Sequence, residues 1–280
     1  MTPDVFDHTR CILGEGALWH PLREQLFWFD IEGKRLLTRT ANGPRDWFFD
    51  MHVSAAGWVD RDHLLIASEV GLHRFDLRDG SKDLIVEMEA DTPATRSNDG
   101  RADPWGGFWI GTMGKAAEEK AGAIYRFYEG KLTRLYQHVT IPNAICFAPD
   151  RSCAYFADTA QQMIMRQPLD ADGWPDGTES PFIDLRAKGI NPDGAVIDGK
   201  GCLWNAQWGS GRVARYDAEG EFMSAHDLPA SHVTCLAFGG ADLSTLYVTS
   251  SAEGLEGEHD GQTFSLAIGL AGLPEYQVSL

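Results

Sequence analysis

Apolar and polar residues alternate along most of the chain in short runs broken by Gly, Asp, Pro and Asn. "QLFWFD", "HLLIAS", "GFWIGT" and "CAYFAD" are examples, rich in aromatic and aliphatic side chains. Period-two alternation bounded by turn residues predicts strands rather than helices. Amphipathic helical patterns of useful length are absent. The stretch "GKAAEEKAGA" (114–123) has the composition for one helical turn, but it reads better as an inserted loop.

The strands recur in a larger pattern. Six segments repeat a layout of entry turn, apolar strand, turn, aromatic-rich strand and a third strand ending in a polar turn. They begin at "GEGALWHP", "SAAGWVDR", "NDGRADPW", "PNAICFAPD", "PDGAVIDG" and "HVTCLAFG". The spacing is roughly 40–50 residues, the length of a four-stranded propeller blade. This predicts one domain over residues 1–280, a six-bladed β-propeller of four-stranded blades. An open ring would leave exposed sheet edges. The N-terminal "DVFDHTR" and C-terminal "PEYQVSL" are therefore expected to share the last blade and close the ring.

Composition narrows the setting. Of 280 residues 43% are hydrophobic, enough to fill a substantial core. No apolar run approaches the ~20 residues of a membrane helix, and "MTPDVFDHTRC" lacks the charge-then-apolar layout of a secretory signal. A cytoplasmic protein, monomeric or a small homo-oligomer, is expected. The five cysteines are odd in number and scattered, as suits reduced, buried thiols. The 24 basic and 41 acidic residues give a net charge of −17. Such a surface repels phosphate backbones and anionic lipid, so nucleic acid and membranes are not expected partners.

The first strand of each propeller blade lines the central channel, so residues at its start converge on one mouth. The repeats place Glu15, Asn98, Asn143 and Asp193 at or near this point in four blades. Asn and Asp are also good turn residues. Four oxygen-bearing side chains in register, one of them a Glu, favour a site. Two carboxylates and two carboxamides suit Ca²⁺, Mg²⁺ or Mn²⁺, with Fe²⁺ or Zn²⁺ open.

Other motifs carry less. "GSGRVA" (209–214) matches a dinucleotide fingerprint, but "RVARYD" alternates like a strand and no helix follows. "LDADGWPDG" (169–177) lacks an EF-hand's third early acidic position and closing Glu. The nine His show no metal-ligand spacing, and no G-x-S-x-G elbow is present. The Trp residues fall mainly at strand positions, as packing; Trp208 is open to either packing or the pocket.

"LGEGALWHP", "RSNDGRADPWGGFWIGTM", "IPNAICFAPD" and "NPDGAVIDGKGCLWNAQWGSGRV" look like the four signature stretches, in order, of a known family. The chain resembles the gluconolactonase, regucalcin (senescence marker protein) and luciferin-regenerating enzyme family over nearly its whole length. "TCLAFGGADLSTLYVTSSAEGL" is most like bacterial sugar-acid lactonases, especially those for arabinono- or xylonolactone. The resemblance implies one divalent metal held by Glu15, Asn143 and Asp193, with Arg96 and Asn98 on the substrate and Asp99 bracing the turn. Ala17 stands where the family often has Pro, and Ala144 where it often has Gly. A substrate-contacting Glu shortly after G-T-M in some members has no match at Gly114-Lys115-Ala116-Ala117.

The expected function is metal-dependent hydrolysis of an aldonolactone (arabinono-, xylono-, galactono- or gluconolactone), with Asp193 as general base. A non-catalytic calcium- or metal-binding propeller is an alternative. So is a hydrolase of non-sugar esters or organophosphates.

Overall fold

The computed structural model describes residues 2–280, and its regular structure is almost entirely antiparallel β. After β1 (Asp4–Asp7) comes a sheet of β2 (Gly14–His20), β3 (Gln25–Asp30), β4 (Arg35–Thr40) and β5 (Gly43–Phe48). A second sheet holds β6 (Val53–Trp58), β7 (His63–Ser68), β8 (Gly71–Asp76) and β9 (Lys82–Glu87). The third contains β10 (Thr95–Ala102), β11 (Phe108–Gly114), β12 (Gly122–Tyr128) and β13 (Lys131–Val139). The fourth contains β14 (Pro142–Phe147), β15 (Cys153–Asp158), β16 (Met163–Pro168) and β17 (Ser180–Asp184).

The remaining strands are β18 (Asn191–Ile197), β19 (Leu203–Trp208), β20 (Arg212–Tyr216) and β21 (Phe222–Asp227), then β22 (His232–Gly239), β23 (Thr245–Ser251) and β24 (Thr263–Ala267). With β1 they form a single eight-stranded sheet, ordered β1-β24-β23-β22-β19-β20-β21 with β18 on β19.

The expected six-bladed β-propeller of separate four-stranded blades is therefore corrected to a propeller-like arrangement of four such sheets and one of eight strands. The cause is local. Trp208 pairs with His232 and joins β19 to β22, and the two rings stack with centroids 4.0 Å apart. A repeat length predicts how many strands a segment holds, but not whether a residue beyond the repeat bonds across to the next segment.

Ring closure is corrected too. β1 pairs with β24, so the N-terminal strand does complete the last sheet. "PEYQVSL" does not join it. Gln277 forms an isolated parallel bridge with Trp58, and the amides of Val278 and Ser279 donate to the carbonyls of Trp58 and Gly106. The tail thus ties the second sheet to the third.

The strands that open each repeat, β2, β6, β10, β14, β18 and β22, lie side by side, with β22 returning to β2. Buried apolar side chains fill the spaces between successive sheets, and Trp28, Trp109 and Trp204 are fully enclosed. Burial of side chains this large stabilises by roughly 1.5–3 kcal/mol each. Asp103 and Asp198 pin two of the hairpins. Asp198 accepts from the amides of Lys200 and Cys202 and from the indole N–H of Trp204. Asp103 does the same for Trp105 and Gly107, and pairs with the fully buried Arg126.

Candidate active site

Each of the six innermost strands is interrupted by a β-bulge. A bulge sets extra residues against its partner strand and re-aims the side chains beside it. Glu15, Asn98, Asn143 and Asp193 sit at or next to the bulges of β2, β10, β14 and β18. The backbone takes left-handed values just after two of them, at Gly16 (φ 56°) and Ala144 (φ 57°).

These side chains share one cavity of about 460 Å³, which Arg96 also lines. That volume lies within the range of small-molecule sites. The five polar side chains are only 3–6% exposed, so their charges and dipoles act in a medium that screens them weakly. Leu13, Met113, Ile141 and Trp208 supply apolar wall, which gives Trp208 a place in the pocket as well as a stacking partner.

Hydrogen bonds tie the polar residues into a chain. Arg96 Nη1 donates to Asn98 Oδ1 at 2.9 Å and to the carbonyl of Ser97 at 3.0 Å. Asn98 Nδ2 donates to Asn143 Oδ1 at 3.1 Å and to the carbonyl of Pro142 at 2.9 Å. Asn143 Nδ2 donates to Thr159 Oγ1 at 2.8 Å, and the Thr159 hydroxyl donates to the carbonyl of Pro192 at 2.7 Å. Asp99 faces elsewhere and accepts from the amide of Ile145 at 2.8 Å, bracing β14 from β10. Asn205 holds the β18 bulge by donating to the carbonyls of Asp193 and Gly194.

The carboxylates are less well provided for. Glu15 Oε2 accepts only from the amide of Gly16, at 3.1 Å, and Asp193 Oδ1 is buried with no hydrogen-bond partner. Burial, reinforced by Asp99, pushes Glu15 up to about 8. Burial together with the negative charges of Glu15 and Asp99 raises Asp193 well above its usual range. Burial lowers Arg96, against the opposing pull of Glu32 and Glu15.

Among the described residues no cluster of three or more His, Cys, Asp or Glu is arranged to hold a metal. Beside Glu15 and Asp193, Asn143 could supply a carboxamide oxygen, whose Oδ1 also accepts from Asn98. An orphaned buried carboxylate oxygen next to a second carboxylate fits a cation better than it fits an empty cavity.

Sequence reasoning missed Thr159, Glu32, Lys115 and Glu253, all in the cavity wall. Thr159 follows directly on the alternating "CAYFAD" run, but nothing in its spacing marks it. After β11 the chain turns rather than forming a helix, and Lys115, Ala116 and Ala117 line the cavity. Glu118 folds back to accept from the amide of Ala116. The five cysteines are free and buried, and burial raises the Cys11 thiol to about 12, far from a nucleophile's range.

Residues 13–252 match the model of the SMP-30/gluconolactonase/LRE-like region. The chain belongs to this family. It is 36% identical to an L-arabinolactonase of Azospirillum brasilense, over 88% of this chain and 83% of the relative. It is 33% identical to a 6-deoxy-6-sulfogluconolactonase of Pseudomonas putida, over 94% of each. A solved structure described as a calcium-binding protein, regucalcin, from Agrobacterium tumefaciens superposes with a TM-score of 0.97 at 39% identity, over 100% of this chain and 98% of the other. With these relatives, the chain is a hydrolase of cyclic esters. No described helix is long and apolar enough to cross a membrane.

Proposed function

We propose that the chain hydrolyses an aldonolactone to the sugar acid, with Asp193 as general base and a divalent cation held by Glu15, Asn143 and Asp193. The observation that carries this is the buried Asp193 Oδ1, left without a partner beside a second carboxylate in a ligand-sized cavity. The relatives' names, an arabinolactonase and a sulfogluconolactonase, support the sugar lactone. An all-oxygen ligand set favours Ca²⁺, Mg²⁺ or Mn²⁺. When bound, such an ion supplies Lewis-acid polarisation of the carbonyl and offsets the two buried negative charges.

Asp193 takes the proton of the water that adds to the lactone carbonyl carbon. Burial and the Glu15 and Asp99 charges raise its proton affinity in the cation-free site, and a bound cation would keep the carboxylate ionised, as a base must be. When the bond between the acyl carbon and the ring oxygen breaks, the same carboxyl returns the proton to the departing alkoxide. Asn98 has both amide hydrogens engaged, so only its Oδ1 can still accept, and it pairs with a substrate hydroxyl rather than a carbonyl. Arg96 serves as a donor to substrate oxygen; its Nε makes no hydrogen bond but lies 3.7 Å from Glu32 Oε1.

The test is a panel of pentono- and hexonolactones, with aryl esters as controls, followed by acid release with a pH indicator before and after chelation. Hydrolysis of the sugar lactones, lost on chelation and restored by a divalent ion, is expected. Full activity in metal-stripped protein, or turnover of the aryl esters alone, overturns the proposal.

A further inference from the structure

The chain of hydrogen bonds through the site has a direction set at its two ends. Arg96 can only donate. At the other end, the carbonyl of Pro192 can only accept. Between them lie two carboxamides and one hydroxyl, linked as Arg96 to Asn98, Asn98 to Asn143, Asn143 to Thr159 and Thr159 to Pro192.

From this geometry we infer that Thr159 is a positioning residue: its hydroxyl holds the Asn143 amide with Nδ2 turned away and Oδ1 available as a ligand. The inference rests on the metal reading above. The electrostatics explain why such a restraint is needed. Two buried carboxylates attract the hydrogens of a neighbouring NH₂ group, a pull toward presenting nitrogen that the Asn98 donor on Oδ1 and the Thr159 hydroxyl on Nδ2 together oppose. An amide nitrogen is no ligand for a hard cation. Thr159 counters that pull by accepting from Nδ2 while its own proton goes to Pro192, the residue before Asp193. One hydroxyl thus couples Asn143 on β14 to the bulge of β18 that carries Asp193.

The hydroxyl, not the shape of the side chain, carries this role, and substitutions separate the two. Thr159→Val keeps the branched shape and removes the hydroxyl, whereas Thr159→Ser keeps the hydroxyl. Ca²⁺ and Mn²⁺ affinity is measured by calorimetry on metal-stripped protein without lactone, and cooperative unfolding checks each variant's fold. The expected result is binding about 10–100-fold weaker in Thr159→Val, the usual effect of losing a ligand's supporting partner. Thr159→Ser should remain close to wild type. At saturating ion, kcat for Thr159→Val should largely recover, because the hydroxyl acts through Asn143 and not on the lactone.

Equal affinity in Thr159→Val and wild type, or failure of Ser to rescue, overturns the inference while leaving the lactonase reading intact. Absence of ion binding by the wild-type protein overturns both. If the valine variant does not fold, Thr159→Ala removes the same hydroxyl and is read in the same way.

Discussion

Asn98 Nδ2 lies 3.1 Å from Asn143 Oδ1, so a side chain of the third sheet sets the orientation of one in the fourth. Asn98→Asp removes both of its donors and adds a further carboxylate to a cavity already lined by Glu15, Glu32, Asp193 and Glu253. kcat/KM for a sugar lactone should fall by about 10–100-fold, as for other supporting partners of a ligand. A lactone assay with the ion in excess checks this, and an unchanged value removes Asn98 from the site.

Asp193→Asn should separate catalysis from stability. Loss of the base should lower kcat by about 10²–10⁴-fold. The same change deletes a buried charge that both Glu15 and Asp99 repel. In chelator at alkaline pH the variant should therefore unfold at a higher temperature than wild type. Lower activity together with lower stability would point to a misfolded site instead.

The metal-free protein should lose stability as pH rises from about 4.5 to about 8. Glu15 has an ordinary value of 4.5 and is raised to about 8 in the fold. Between those limits the folded chain holds a proton that the unfolded chain has released. Stability falls with pH wherever the folded state binds more protons. Denaturant melts in chelator at pH 5 and pH 8.5 measure the loss, which Glu15→Gln should reduce. A divalent ion takes the proton's place and should flatten the dependence.

Gly16 and Ala144 both follow a site residue at a bulge and share a left-handed backbone, yet they should respond differently to substitution. A Cβ on Gly16 would collide with the carbonyl oxygen of Ser54 on β6 and with the Phe29 ring. Gly16→Ala should cost at least about 2 kcal/mol, from overpacking plus left-handed strain. Ala144→Gly relieves about 1 kcal/mol of such strain and gives up a buried methyl worth about 0.8 kcal/mol. Its melt should stay close to wild type.

Glu275 in the C-terminal tail forms an ion pair with Arg101, and both side chains are largely buried. Glu275→Gln leaves that cation short of a partner and should cost about 3 kcal/mol. Activity per folded molecule should persist, since neither residue lines the cavity. A melt paired with an active-site titration separates the two effects.

The strands and the site were legible to different depths. Alternation and turn residues marked three strands in each repeat, and the repeat brought Glu15, Asn98, Asn143 and Asp193 into register. Asp198-Gly199 is a turn signal in its own right, and the partners of Asp198 lie within a few residues, Arg215 aside. Thr159 was not readable. It matters only through Asn143, 16 positions away, and Pro192, 33 positions away. The tail was misassigned because "PEYQVSL" has the pattern of a strand whose partner could have been any open edge.

By itself the sequence determined the all-β character, the repeat of strands and the family, because period-two alternation, turn chemistry and short motifs are local properties of the chain. Only the tertiary structure decided that Trp208 and His232 fuse the last strands into one sheet, where the tail docks, and which way the Asn143 amide faces. Those outcomes depend on pairings between residues far apart in sequence, whose energies exist only once the strands have come together.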